Sequence, residues 1–182
     1  HTPISIMDSV NNHDDSVFYI EKHIADDVRA AGRAAVKSFG VKSRFVHFEF
    51  FRLTEDHDYL GKKGKIIGLE VNYRPSGGFT PDMINYACST DVYKDWADMV
   101  AFDRLTKEEY PDKYYCVSAG CRKEKHYLHS YEEVMAAYKD DIMMTTELPE
   151  VLASAMGDRL YLARFAEKED MDAFISYVFA TA

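Results

Sequence analysis

The chain has 182 residues and a mass of 20.9 kDa, which is enough for one hydrophobic core or two small ones. Apolar residues make up 47% of it and charged residues 29%, which excludes a disordered chain. The 22 Lys and Arg against 31 Asp and Glu give a net charge of -9, which disfavours a general nucleic-acid-binding protein. No apolar run approaches the roughly 20 residues that a membrane-spanning helix needs, so no membrane association is expected.

Cysteine is sparse, with single residues at positions 88, 116 and 121. An odd count without a C-x-x-C motif favours a reducing compartment, so we expect a cytoplasmic protein. The chain begins with His1 and shows no basic segment followed by an apolar one, so the pattern of a signal peptide is missing. The missing Met is interpreted as processing or as a sign that this sequence is a fragment of a longer protein.

The N-terminal residues predict a loop followed by a long helix. Residues 1–17 are polar and typical of a loop. From Ile20 to Phe39 apolar residues recur at steps of three and four, which predicts one face of a helix. Gly40 stands where such a helix ends.

Two aromatic and β-branched segments, residues 44–53 and 65–73, predict strands. The polar loop between them has a length that favours an antiparallel hairpin. A segment rich in Pro and Gly, residues 74–82, predicts a second loop. Residues 82–101 then predict a helix in two pieces, broken near Ser89 and Thr90.

The charged segment that ends near Pro111 predicts a domain boundary, with domains at residues 1–103 and 104–182. Ser130 and Glu133 have the spacing of a capping box, which predicts the start of a helix. The other elements expected beyond the boundary are strands at 114–121, 125–129, 142–147 and 159–165, and helices at 131–139, after Pro149 and over the last residues. The predicted fold class is therefore α+β, with an antiparallel sheet and packed helices followed by a small α+β C-terminal subdomain.

Two acidic residues of the hairpin are expected to face each other. Strand alternation places Glu49 on one face of the first strand and Glu70 with Asn72 on one face of the second, together with Ile66, Gly68 and Arg74. Like charges directly opposite each other destabilise a sheet, and apolar surroundings make an unpaired charge costly. A divalent cation relieves both penalties. Two carboxylates and an amide oxygen form an all-oxygen ligand set that suits Mg²⁺ or Mn²⁺.

The same pattern also fits a hairpin whose polar face lies in water. Glu70 and Asn72 are then solvated, and Glu49 pairs with Arg52 or Arg74. His47 shares the face of Glu49 and is interpreted either as a hydrogen-bonded core histidine or as a phosphate contact. Ser76 and Gly77 either form a plain turn or offer backbone N–H groups to an acyl phosphate or a substrate carboxylate.

The segments FVHFEFF and LEVNYRPSGG resemble the C-terminal lobe of ATP-grasp enzymes, over roughly residues 20–101. In that superfamily an acidic residue on one strand and E-x-N on its antiparallel partner hold the Mg²⁺ ions that bridge the ATP phosphates. The resemblance therefore implies metal ligation by Glu49, Glu70 and Asn72. It further implies that Arg74 faces the reacting phosphate or substrate and that Phe51 packs beneath the adenine.

This resemblance implies the C-terminal part of an ATP-dependent carboxylate–amine (or thiol) ligase, with Mg²⁺ (or Mn²⁺) and ATP as cofactors. Its expected partners are ATP, a small carboxylate substrate and a missing N-terminal lobe of the same protein, with a possible homodimer. The fragment alone is expected to be inactive, because the second lobe supplies half of an ATP-grasp site. The alternative is a non-catalytic binding or assembly module. Nothing in the sequence assigns a function to residues 104–182.

Overall fold

The structure, a computed structural model, describes Thr2, residues 6–104 and residues 113–181. These residues divide into two compact units, which we call the sheet unit (residues 6–22, 82–90 and 113–181) and the hairpin unit (residues 23–81 and 91–104). In chain order the elements are α1 (Ile6–Asn12), β1 (Ser16–Ile20), α2 (Asp26–Ser38), β2 (His47–Arg52), β3 (Ile66–Asn72), α3 (Thr80–Cys88), α4 (Val92–Phe102), β4 (Tyr115–Cys121), α5 (Tyr131–Ala137), β5 (Ile142–Glu147), α6 (Glu150–Met156), β6 (Arg159–Phe165) and α7 (Lys168–Val178).

The sheet unit contains a four-stranded antiparallel sheet in the order β1-β4-β6-β5. Helix α7 packs on β4 and β6 through the fully buried Met171 and Phe174 and through Val178. The ring of Phe174 meets that of Tyr138 edge-on at 5.0 Å and that of Phe165 at 5.4 Å. This aromatic cluster forms the centre of the core.

The division into units differs from the predicted boundary between residues 103 and 104. Strand β1 pairs antiparallel with β4, from Ser16 opposite Gly120 to Ile20 opposite Cys116. The N-terminal strand therefore belongs to the sheet unit, together with residues 82–90. A pairing between strands this distant in the chain leaves no local sequence signal, and the prediction of a loop over residues 1–17 was wrong for α1 and for the start of β1.

Gly120 allows a close backbone approach in the sheet unit. A Cβ on this residue of β4 would lie 1.8 Å from the carbonyl oxygen of Met156, at the end of α6. We expect Gly120→Ala to lower the free energy of unfolding by about 1–3 kcal/mol or more, because the backbone at Met156 must move to make room for the methyl group. Gly32→Ala is the matched control, since a Cβ on Gly32 inside α2 would have no neighbour within 4 Å, and Ala is favoured in helices. Urea titrations in which Gly120→Ala loses no stability would contradict the close approach.

The hairpin unit contains the β2–β3 hairpin with α2 and α4. The predicted strands are confirmed, whereas α2 begins at Asp26, because Ile20 belongs to β1. The predicted helix break is also confirmed, since α3 ends at Cys88, Ser89 has a positive φ of 48°, and α4 begins at Val92. The side chain of Asp91 caps α4 by accepting hydrogen bonds from the N–H groups of residues 93 and 94.

The remaining predictions after residue 113 hold with one exception. The capping box is present, because Glu133 N–H donates to Ser130 Oγ (3.2 Å) and Ser130 N–H donates to the Glu133 carboxylate (2.8 Å). Residues 125–129 form no strand and contribute only an isolated bridge between Tyr127 and Thr181. The three cysteines all lie in the described part of the chain, and no disulfide joins them. Among the helices that the structure describes, none has the length and apolar character needed to cross a membrane.

Candidate metal-binding site on the β2–β3 hairpin

Four polar residues share one face of the hairpin. The antiparallel register sets His47 opposite Asn72 and Glu49 opposite Glu70. Directly opposed residues project from the same face of an antiparallel pair, and residues two apart on one strand share that face as well. We call these four residues the hairpin cluster. The predicted opposition of Glu49 and Glu70 is confirmed.

A β-bulge interrupts the hairpin directly beside this cluster. Phe50 pairs with Gly68, so Leu69 is an extra residue on β3 between Gly68 and Glu70. The predicted alternation over 66–74 is therefore wrong in part, because Gly68 and Ile66 lie on the face opposite to that of Glu70. Bulges of this kind re-aim side chains, and here the hairpin cluster stands at one end of the hairpin, beyond the bulge.

The two carboxylates of the hairpin cluster are more exposed than the sequence suggests. Glu70 is exposed, and the Glu49 side chain is 42% exposed. The expectation that both carboxylates lie in apolar surroundings is therefore wrong for Glu70, which is exposed to solvent. Within residues 6–104 and 113–181, no three side chains of His, Cys, Asp or Glu are grouped closely enough to hold a metal ion.

The deeper half of the hairpin cluster contains two buried polar atoms without hydrogen-bond partners, His47 Nδ1 and Asn72 Nδ2. The other imidazole nitrogen, His47 Nε2, lies 3.5 Å from Glu49 Oε1. Buried polar atoms are normally paired, since an unmade hydrogen bond costs about 1–3 kcal/mol. The amide of Asn72 and the carboxylates of Glu49 and Glu70 have the oxygen chemistry that Mg²⁺ and Mn²⁺ prefer, so this donor set fits such an ion.

The two arginines expected as alternative partners for Glu49 form hydrogen bonds with other residues. Arg52 forms a bidentate ion pair with Asp27 of α2, at 2.6 and 2.9 Å. This guanidinium lowers the pKa of the Asp27 carboxyl below its ordinary value, chiefly through the hydrogen bond between them. Arg74 is exposed and donates from Nη1 to the carbonyl oxygen of Pro75 at 2.9 Å. Among the residues that the structure describes, the ionisable partner of Glu49 is therefore His47 and neither arginine.

Three further predicted site residues surround the hairpin cluster in sequence. Phe51 lies on β2 with 56% of its surface exposed, so its ring is free to contact a ligand. Ser76 is half-buried and Gly77 exposed, in the loop before α3. The carbonyl oxygen of Gly77 accepts a hydrogen bond from Thr80 N–H at 3.4 Å, as in a turn that leads into a helix. The roles assigned to these three residues stay predictions.

A separate cavity of about 430 Å³ lies in the sheet unit. One cation of its lining, Arg159, pairs with Glu147 and lies over the Tyr131 ring at 4.3 Å from the ring centroid. Lys123 lies 3.5 Å from Asp158. Because these two cations already have carboxylate partners, neither of them calls for a ligand in the cavity.

Comparison with known proteins yields a match at the level of fold. No protein-family model matches the sequence, and no curated protein matches it. Among solved structures, the chain is similar to the crystal structure of phosphoribosylglycinamide synthetase from Anaerococcus prevotii, with 14% identity and a TM-score of 0.54. The match covers 88% of this chain and 44% of that one, so the chain spans less than half the length of the solved structure.

The match confirms the predicted fold class, α+β with antiparallel strands and packed helices. At 14% identity the likeness is one of fold. It does not identify ligands, substrates or catalytic residues in this chain.

Proposed function

We propose that this chain is part of an ATP-dependent ligase that joins a carboxylate to an amine or a thiol, and that its hairpin unit binds the metal–ATP complex. The observation that carries the proposal is the register of β2 and β3, which sets Glu49 opposite Glu70 and His47 opposite Asn72. The fold match to an ATP-grasp synthetase supports the same class of reaction. The resemblance of residues 45–51 and 69–78 to ATP-grasp motifs supports it independently.

In this proposal the carboxylates of Glu49 and Glu70 and the amide oxygen of Asn72 hold Mg²⁺ or Mn²⁺. When bound, the ion supplies positive charge that neutralises the phosphates. The Arg74 guanidinium is exposed and stabilises charge on the transferring phosphoryl group. The exposed ring of Phe51 provides an apolar surface for the adenine.

The reaction proposed for the complete enzyme has two steps. A carboxylate oxygen of the substrate attacks the γ-phosphorus of ATP, the bond to the β-phosphate oxygen breaks, and ADP leaves with an acyl phosphate remaining. An amine or thiol then attacks the acyl carbon, and inorganic phosphate leaves. Backbone N–H groups of Ser76 and Gly77 are proposed to bind the substrate carboxylate or the acyl phosphate. The second ATP-grasp lobe is proposed to supply the remaining contacts to ATP.

Mn²⁺ binding tests the metal site directly, because Mn²⁺ accepts the same oxygen ligands as Mg²⁺ and its free ion is visible by electron paramagnetic resonance. We expect the chain to deplete the free Mn²⁺ signal and Glu49→Gln to weaken binding at least about 10-fold. Glu55→Gln is the matched control, since Glu55 is an exposed carboxylate in the hairpin loop outside the cluster. Equal Mn²⁺ binding by all three proteins would contradict the proposal and favour a non-catalytic binding module.

A further inference from the structure

The two unpartnered atoms of the hairpin cluster are complementary. His47 and Asn72 are register partners on β2 and β3, and directly opposed residues have Cβ atoms only about 4.5–5.5 Å apart. An amide nitrogen such as Asn72 Nδ2 only donates hydrogen bonds, whereas an imidazole nitrogen without a proton only accepts them. Both atoms are buried and neither has a hydrogen-bond partner. One hydrogen bond between these two atoms would satisfy both.

We propose that His47 is a positioning residue that links two metal ligands across the hairpin, with Asn72 Nδ2 donating to His47 Nδ1 and His47 Nε2–H donating to Glu49 Oε1. This inference rests on the proposed function of the hairpin cluster. The Nε2–Oε1 distance is already 3.5 Å, so the second link needs only a slight approach. The His47 side chain is 25% exposed against 42% for Glu49, so the imidazole is the more buried of the two groups.

The link determines which atoms remain for the cation. If the Asn72 amide nitrogen donates to His47, the amide oxygen is left as the free end of the side chain. If one oxygen of Glu49 accepts from His47, the carboxylate is held at a fixed angle and its other oxygen stays available. Outer hydrogen bonds of this kind orient metal ligands, and their loss typically lowers metal affinity about 10–100-fold.

The tautomer of His47 gives a test that needs no metal. The link requires the proton on Nε2, because Nδ1 must accept. Nitrogen-15 NMR at alkaline pH distinguishes the two neutral tautomers, and the His47 signals are assigned by their loss in His47→Gln. We expect the Nε2–H form. A predominant Nδ1–H form would overturn the proposed link, whatever the metal affinity.

Mn²⁺ affinity gives the second test. We expect His47→Leu to weaken Mn²⁺ binding about 10–100-fold, because Leu fills similar space without either hydrogen bond. His47→Gln should recover part of the affinity, because its amide both donates and accepts. His23→Leu is the matched control, since His23 is an exposed histidine of the same unit, outside the cluster. Circular dichroism checks that each variant is folded.

The outcomes separate this inference from the proposed function. If Glu49→Gln loses Mn²⁺ binding while His47→Leu binds like the wild type, the metal site stands and the positioning role of His47 fails. If neither variant differs from the wild type, the proposed metal site itself fails. If His47→Gln is as weak as His47→Leu and the tautomer is Nδ1–H, His47 only fills space in the hairpin.

Discussion

Glu70→Gln is expected to lower the turnover of Mg²⁺-ATP at least about 100-fold when this chain acts together with the second ATP-grasp lobe. The substitution keeps the size of the side chain and removes one negative charge from the proposed metal site. The lost charge should raise the energy of the transition state, where charge moves on the phosphoryl group. Loss of a residue that only orients a metal ligand typically lowers activity about 10–100-fold, so loss of a direct ligand should lower it by at least the upper value. The rate is measured at saturating Mg²⁺-ATP against a panel of small carboxylates.

The thermal stability of the same variant should change in the opposite direction. Glu70 lies directly opposite Glu49, and like charges in this position destabilise an antiparallel pair. Without metal, the melting temperature of Glu70→Gln should therefore equal or exceed that of the wild type. Glu55→Gln serves again as the control and should change neither quantity. An unchanged rate for Glu70→Gln would leave Glu70 as a solvated surface residue and contradict its role in the proposed ligase.

Phe174→Ala is expected to cost about 3–5 kcal/mol of unfolding free energy in the sheet unit. Phe174 is fully buried on α7, and its ring contacts both Tyr138 and Phe165. Removing the ring leaves a cavity beneath β4 and β6 that the packed sheet cannot close. Denaturation by urea, followed by far-ultraviolet circular dichroism, measures the effect.

Phe102→Ala is the matched control for the core substitution. Phe102 lies at the end of α4 with 61% of its surface exposed, so its removal should change stability by less than about 0.5 kcal/mol. A cost below about 1 kcal/mol for Phe174→Ala would mean that the core described for α7 is not the one that stabilises the sheet unit.

Elements with a strong local signal could be predicted from the sequence. The capping box of Ser130 and Glu133 determines where α5 begins, because both hydrogen bonds join residues three apart. The apolar stripe of Met171, Phe174 and Val178 determines which face of α7 is buried. The opposition of Glu49 and Glu70 also followed from the sequence, because a hairpin couples its register to its loop.

Features that depend on contacts between distant residues could not be predicted. The segment of β1 is short, and only its pairing with β4 makes it a strand of the sheet unit. Val17 and Tyr19 pack on the core, as alternate residues of a strand do. Ile20 also fits the helical period, so the sequence pattern places it in the predicted helix instead. The two units divide differently from the predicted domains for the same reason, since the partner that holds β1 lies beyond the predicted boundary.

The sequence by itself determined the chemistry of the hairpin cluster, since two carboxylates and an amide stand at fixed positions on two strands. Only the tertiary structure decided how they are presented. The extra residue Leu69 places Gly68 and Ile66 on the face of the hairpin opposite to that of Glu70. Glu70 itself is exposed to solvent. The pairing of His47 with Asn72 sets two residues with buried, unpartnered atoms opposite each other. Burial and hydrogen bonding depend on which residues are neighbours in space. The local sequence specifies those neighbours only when they are also close in the chain.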